Sequence, residues 1–264
     1  NESNIESFRL MNSAMFMQLL HINKGGETGV DITNNNEGEV YYKNANDTIF
    51  SSTDSAGWRA FQLAFILLNL DGIYKHSDDE KWEKRNNLVD LVWFPTGGGK
   101  TEAYLGLIAL VILSRRLSIG ETGGGVSVIM RYTLRLLTLQ QFQRASYLIM
   151  ALELMRRWDG ALGKEPITIG LWVGASSLPN RLDDLKSEIE KLLNNQGNSI
   201  PFQTCPWCGD GLQKHTNDND IIFEKNRHNL SCKNKKCSFH SNVRQGPYQG
   251  CLPLNLCDES IYRH

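Results

Sequence analysis

Residues 88–117 pass from an apolar run, through Pro95-Thr96-Gly97-Gly98-Gly99-Lys100-Thr101, into a stretch whose apolar side chains go nearly all the way round a helix. That order constrains the fold more than any other feature of the chain. The run at 88–94 is apolar and bounded by turn residues, which predicts a buried strand, and 101–117 predicts a helix. The alternation continues. Residues 126–130 read as a strand, 136–158 as a long helix stopped at Gly160, 167–173 as a strand, 182–193 as a helix and 252–257 as one more core strand. Strands separated by helices predict an α/β fold, a parallel sheet with right-handed crossovers and helices on both faces.

The glycine cluster suits one kind of ligand. Glycines let the backbone curl so that successive N–H groups face inward on phosphate oxygens, and the first turn of the following helix adds the positive end of its dipole. Lys100 would reach the outer phosphates, and the Thr101 hydroxyl would ligate Mg²⁺. Thr96, Gly97, Gly98, Gly99, Lys100 and Thr101 are therefore the expected ATP-binding residues. A plain glycine turn has no need of Lys-Thr at its end. The strict P-loop pattern is not met, because Phe94 stands where its first glycine would be.

Nucleotide hydrolysis on such a loop needs acidic partners on a neighbouring strand, one for the metal shell and one to activate water. The run 252–257 delivers Asp258 and Glu259 to the carboxyl end of its strand, the edge at which open α/β sheets bind ligands. Asp258 is assigned to Mg²⁺, and Glu259 is assigned as the general base beside Lys100. An Asp-Glu pair at a solvated strand end is weak evidence alone; the preceding glycine loop is what gives it weight.

Strand 126–130 leads into Arg131-Tyr132-Thr133-Leu134-Arg135 and a helix. Arg131, Thr133 and Arg135 form a donor set suited to a phosphate backbone, and so to DNA or RNA. A polar cap on a solvated helix is the alternative reading. Net charge is −1 over 264 residues, so nucleic-acid binding requires a local patch.

The stretch 194–250 breaks the α/β rhythm with polar, lysine-rich sequence around cysteines. Cys205-Pro206-Trp207-Cys208-Gly209 places two thiols two residues apart above a tight turn, and Cys232 and Cys237 supply a second pair. Four thiolates fill a tetrahedral shell, which predicts a structural Zn²⁺ ribbon with no open catalytic position. His215, His228 and His240 are less favoured substitutes. Lys233, Lys235 and Lys236 read equally as phosphate contacts and as solvated charge. Cys251 and Cys257 are expected in the core.

Towards the amino terminus, 8–20 has helical apolar spacing, 24–54 is polar and loop-like with a weak hairpin near Val40-Tyr41-Tyr42, and 58–70 is again helical, ending at Asp71-Gly72. The expected divisions are a helix and loop segment at 1–57, a motor-type lobe at 58–195, the inserted ribbon at 196–250 and a return to the lobe at 251–264. No apolar run approaches the roughly 20 residues that span a bilayer, and no signal-like start is present. The expected compartment is the cytoplasm, and the sequon Asn46-Asp47-Thr48 is expected to be unused. Asn1 is not an initiator methionine, so the chain is expected to be a piece of something longer.

The runs 93–106, 130–144 and 258–263 resemble motifs I, Ia and II of superfamily 2 helicases, most closely the helicase of bacterial DISARM anti-phage systems. The resemblance covers residue 58 onward. It implies a RecA-like lobe, ATP hydrolysis coupled to DNA, and a partner subunit with a DUF1998-type domain. It also implies that Gln62, in the helix before the glycine loop, makes a two-point contact with adenine. Ser260-Ile261 departs from the usual Asp-Glu-x-Asp or Asp-Glu-x-His, which leaves the coupling role of the fourth position in doubt. Without a second lobe and its arginine finger, the stretch alone is expected to bind nucleotide but to hydrolyse it poorly. A P-loop kinase or ATPase indifferent to nucleic acid, and a DNA-binding module with a relic ATP site, remain as alternatives.

Overall fold

The computed structural model describes residues 2–23, 31–34, 40–43, 49–50, 57–74, 83–84, 87–93, 95, 97–132, 135–174, 177–214, 230–241 and 251–257. Its centre is helical. Helix α1 (Glu2–Asn23) buries Met11, Ala14, Met15 and Met17, a spacing that puts them on one face, and packs against both long helices of the chain. Helix α2 (Ala60–Leu68) and the single turn α3 (Leu70–Ile73) follow; the expected stop at Asp71-Gly72 falls within that turn. Ser7 and Tyr74 hydroxyls pair at 2.9 Å, joining α1 to the end of α3.

Helix α4 (Lys100–Ile119) is the axis of the core. Ala103, Leu105, Gly106, Ala109, Leu110, Ile112 and Leu113 are all buried, because α1 and α2 cover it from different sides. An interior glycine normally weakens a helix. At Gly106 the reason is close approach: a Cβ there would lie 2.5 Å from the Trp58 ring, whose Nε1 donates to Asn12 Oδ1 at 2.6 Å. Helix α5 (Arg135–Trp158) runs alongside, and a short 3-10 turn at Gly160–Leu162 ends it near the expected Gly160. Helix α6 (Leu182–Leu193) has the predicted bounds and buries Leu182, Leu185, Ile189 and Leu192 at helical spacing.

The sheets are small. Strands β1 (Asp31–Asn34), β2 (Val40–Lys43) and β3 (Ile49–Phe50) form an antiparallel meander in which Tyr42 faces Ile32 and Phe50, so the polar stretch holds more strand than its composition suggests. Strand β4 (Ile169–Gly170) pairs in parallel with β7 (Leu254–Asn255), bringing two of the expected core strands together across the cysteine region. Strands β5 (Leu212–Lys214) and β6 (Leu230–Cys232) make an antiparallel pair inside that region.

Two predicted strands are not formed among the described residues. The runs 88–93 and 126–130 join no ladder, and Val89, Trp93 and Ile129 are 96%, 91% and 85% exposed. An apolar run records a demand for burial, whereas a strand is held by hydrogen-bonded partners that its own sequence does not supply. No helix among the described residues is long and apolar enough to cross a membrane.

Candidate nucleotide site and four-cysteine centre

Gly99 caps α4 with φ 88°, Gly97 has φ 79°, and Gly98 N–H closes a turn onto the Pro95 carbonyl at 3.3 Å. A Cβ on Gly99 would meet Gln62 Nε2 at 2.7 Å, so both conformation and space require glycine there. No side chain caps the helix, which leaves first-turn N–H groups of α4 for a ligand. The Lys100 ammonium donates to the Pro95 carbonyl at 3.3 Å, folded back along its own loop.

Helix α2 grips this loop from behind. Gln62 Nε2 donates to the Gly99 carbonyl at 2.8 Å, and the Arg59 guanidinium donates to the Gly98 carbonyl at 3.0 Å. The far side of the Gln62 amide accepts from Arg59 N–H at 2.8 Å, capping α2. In a planar trans peptide the N–H points opposite to the C=O. Carbonyls drawn toward α2 therefore turn the N–H groups of Gly99 and Lys100 away from it, the direction an anion must come from. Gln62 is buried and both ends of its amide serve the protein itself; the adenine contact expected from the resemblance competes with those bonds.

The other candidates for nucleotide and nucleic-acid contact are only partly described. Arg131 is exposed, at the entry to α5, and no side-chain position is described for Arg135. Thr96, Thr133, Asp258 and Glu259 lie outside the described residues, as do Asn46-Asp47-Thr48, His215 and His228.

Cys205, Cys208, Cys232 and Cys237 converge. Their sulfurs all lie within 4.8 Å of one another, with Cys208 and Cys232 at 3.3 Å. Tetrahedral zinc with bonds of about 2.3 Å spaces its sulfurs by about 3.8 Å, so the cluster fits that ion after small adjustments. Backbone N–H groups already face the thiolate positions, Asn234 to Cys232 at 3.3 Å and Phe239 to Cys237 at 3.5 Å. Hydrogen bonds from the Cys205 thiol, then from Cys232 and Cys237, push Cys208 down, and Cys205 pushes Cys232 down against an opposing effect of Cys208. The same contacts push Cys205 up, chiefly through Cys208, and Cys237 up, chiefly through Cys205. Four thiols this close cannot all ionise unless a cation joins them. His240 is buried beside the cluster, its backbone bridged to Cys232, but is not among the four.

Over 220 residues, 78% of its length, the chain is 42% identical to the DISARM protein DrmA of Bacillus paralicheniformis. The chain is similar to one segment of DrmA. The match spans 18% of that protein, so most of DrmA lies outside the comparison. No protein-family model matches the chain.

In this DrmA-like segment the tie between the helical core and the cysteine cluster was not legible in the sequence. Glu153, 1% exposed, takes both Arg156 Nε and Nη2 at 2.7 and 2.8 Å, Arg157 Nε at 3.1 Å and the backbone N–H of Ile167 at 2.9 Å. Arg157 then reaches the carbonyls of Ser238 and Cys251 at 3.1 and 3.2 Å and lies over the Phe239 ring at 4.9 Å. Glu-x-x-Arg-Arg at a helix end reads as an ordinary surface pair. The only sequence signal was its place on a helix otherwise apolar on most sides.

Proposed function

We propose that this chain is the first ATP-binding lobe of a superfamily 2 DNA helicase or translocase that acts in DISARM-type anti-phage defence. The reading rests above all on one observation: a glycine loop ending in Lys100-Thr101 caps a 20-residue core helix while α2 draws its carbonyls away from the ligand side. Similarity to DrmA supports the defence role and, with the motif resemblance, the coupling to DNA. On this reading the lobe is RecA-like.

The glycine loop Gly97-Gly98-Gly99, chiefly through the amides of Gly99 and Lys100, and the Lys100 ammonium would hold the triphosphate, Thr101 and Asp258 would hold Mg²⁺, and Glu259 would take the proton from the attacking water. Mg²⁺ held there would supply positive charge against the negative charge that builds on the terminal phosphate. Thr96 and Gln62 complete the nucleotide site, Gln62 by fixing the loop that binds phosphate. Arg131, Thr133 and Arg135 meet the phosphate backbone of a DNA strand. Cys205, Cys208, Cys232 and Cys237 hold a structural Zn²⁺. A DUF1998-bearing subunit is the expected partner.

The test is ATP turnover of the intact protein with single-stranded, duplex and overhang DNA, beside Lys100→Ala. Turnover is expected to rise on adding DNA and to fall by at least about 100-fold in the variant, the scale of losing one electrostatic contact to the transition state. A rate indifferent to DNA points instead to an uncoupled P-loop ATPase or kinase. Turnover unchanged in Lys100→Ala makes the site a relic.

A further inference from the structure

One ion pair links the two candidate binding segments. Glu102 stands in the first turn of α4, two residues past Lys100, and pairs with Arg144 of α5, 42 residues away in sequence. Arg144 stands on α5, the helix that the Arg131 segment enters, and its charge is felt at Tyr132, the neighbour of Arg131, where burial and then Tyr104 hold the phenol neutral to higher pH than usual and Arg144 works against them. Tyr104 is fixed from the other side by an edge-on contact with Phe65 of α2, ring centres 5.9 Å apart. The pair thus ties the first turn of the glycine-loop helix, where a Cβ on Gly99 would meet the Glu102 carboxylate at 3.6 Å, to the helix that Arg131 leads into.

The electrostatics give this tie a direction. A carboxylate one turn from bound phosphates is repelled by them, and Arg144 is the group that offsets it. The side chains of Glu102 and Arg144 are 23% and 38% exposed, so solvent screens the pair and it contributes little to stability. The Nε of Arg144 is buried without a hydrogen-bond partner, so the Glu102 carboxylate does not satisfy the whole guanidinium.

We propose that the Glu102–Arg144 pair is a positioning device that reports occupancy of the phosphate loop to the Arg131 segment, so that DNA binding and ATP turnover sense each other. This rests on the nucleotide and DNA assignments above. Neither residue touches a reacting atom; both act through their neighbours.

The test uses the intact protein and compares ATP turnover without DNA and across a single-stranded DNA titration. The variants are Glu102→Gln, Arg144→Gln, their double and the reversed pair Glu102→Arg with Arg144→Glu. Each single substitution is expected to cut the stimulation by DNA about tenfold, within the usual range of coupling between sites. Basal turnover should stay within about twofold of the unaltered protein. The double should be no worse than either single, and the reversed pair should recover most of the stimulation. Singles that keep full stimulation overturn the proposal, as do singles that lower basal and stimulated rates in equal proportion or effects that add in the double. Where a glutamine variant melts before assay, the reversed pair decides alone, by recovery or its failure. An unaltered protein whose turnover ignores DNA sinks the underlying reading; one that responds to DNA while the variants respond equally sinks only this inference.

Discussion

The Gln62 amide has one oxygen and one NH₂ group, and the structure uses the first to cap α2 and the second to hold the Gly99 carbonyl. On the proposed reading, a side chain so engaged would influence a bound nucleotide through the shape of the glycine loop, which would meet phosphates common to every nucleoside triphosphate. Gln62→Ala is therefore expected to raise KM for ATP and GTP alike by about tenfold, the range for losing a buried hydrogen bond and leaving its partner unpaired. Steady-state turnover with the two nucleotides measures it. A loss confined to ATP, with GTP unaffected, would show that the amide leaves Gly99 to read the adenine edge. The neighbouring Arg59 holds the Gly98 carbonyl from an exposed position, where water can replace it at lower cost.

At the scale of elements, α5 ends in a heavily committed buried charge. Glu153 has two buried arginines and a backbone N–H on its carboxylate, and removing one member of such a set leaves the others charged and dry. Glu153→Gln keeps the shape and drops the charge, and is expected to cost about 3–5 kcal/mol in urea unfolding. A loss below about 1 kcal/mol would mean that water reaches the arginines. The set also shows what the sequence could and could not say. Helix α6 was legible to the residue because Leu182, Leu185, Ile189 and Leu192 keep one face, and α4 and α5 because their apolar residues persist over many turns. The runs 88–93 and 126–130 were not, since pairing depends on residues far off in sequence. The reach of Arg157 to Ser238, 81 residues away, was hidden for the same reason. In the candidate site, the spacing of the glycines and of the four cysteines could be read directly, whereas the grip of Arg59 and Gln62 on the loop required α2 to be in place.

At the scale of the whole molecule, the question is whether the cysteine region is an appendage or part of one body. Trp207, between Cys205 and Cys208, has no exposed surface; its ring stands 3.6 Å from His21 of α1 and 5.6 Å from Phe239, itself fully buried and covered by Arg157 of α5. The residues that would surround the metal are thus also core residues shared with α1 and α5. With zinc bound, the four thiolates hold Trp207 and Phe239 in register; without it, those thiolates repel one another or must take up protons. One zinc per chain is the expected metal content, and Cys232→Ser should abolish it. Since structural zinc adds several kcal/mol to folding, its removal by chelator should lower the melting temperature of this chain by at least about 10 °C, at about 2–4 °C per kcal/mol for a body of this size. The transition should stay single, because Trp207 and Phe239 are packed against His21 of α1 and Arg157 of α5. A small early transition on chelation, with nucleotide binding and the main melt unchanged, would mean that the cysteine region folds by itself and that its contacts with His21 and Arg157 carry little energy.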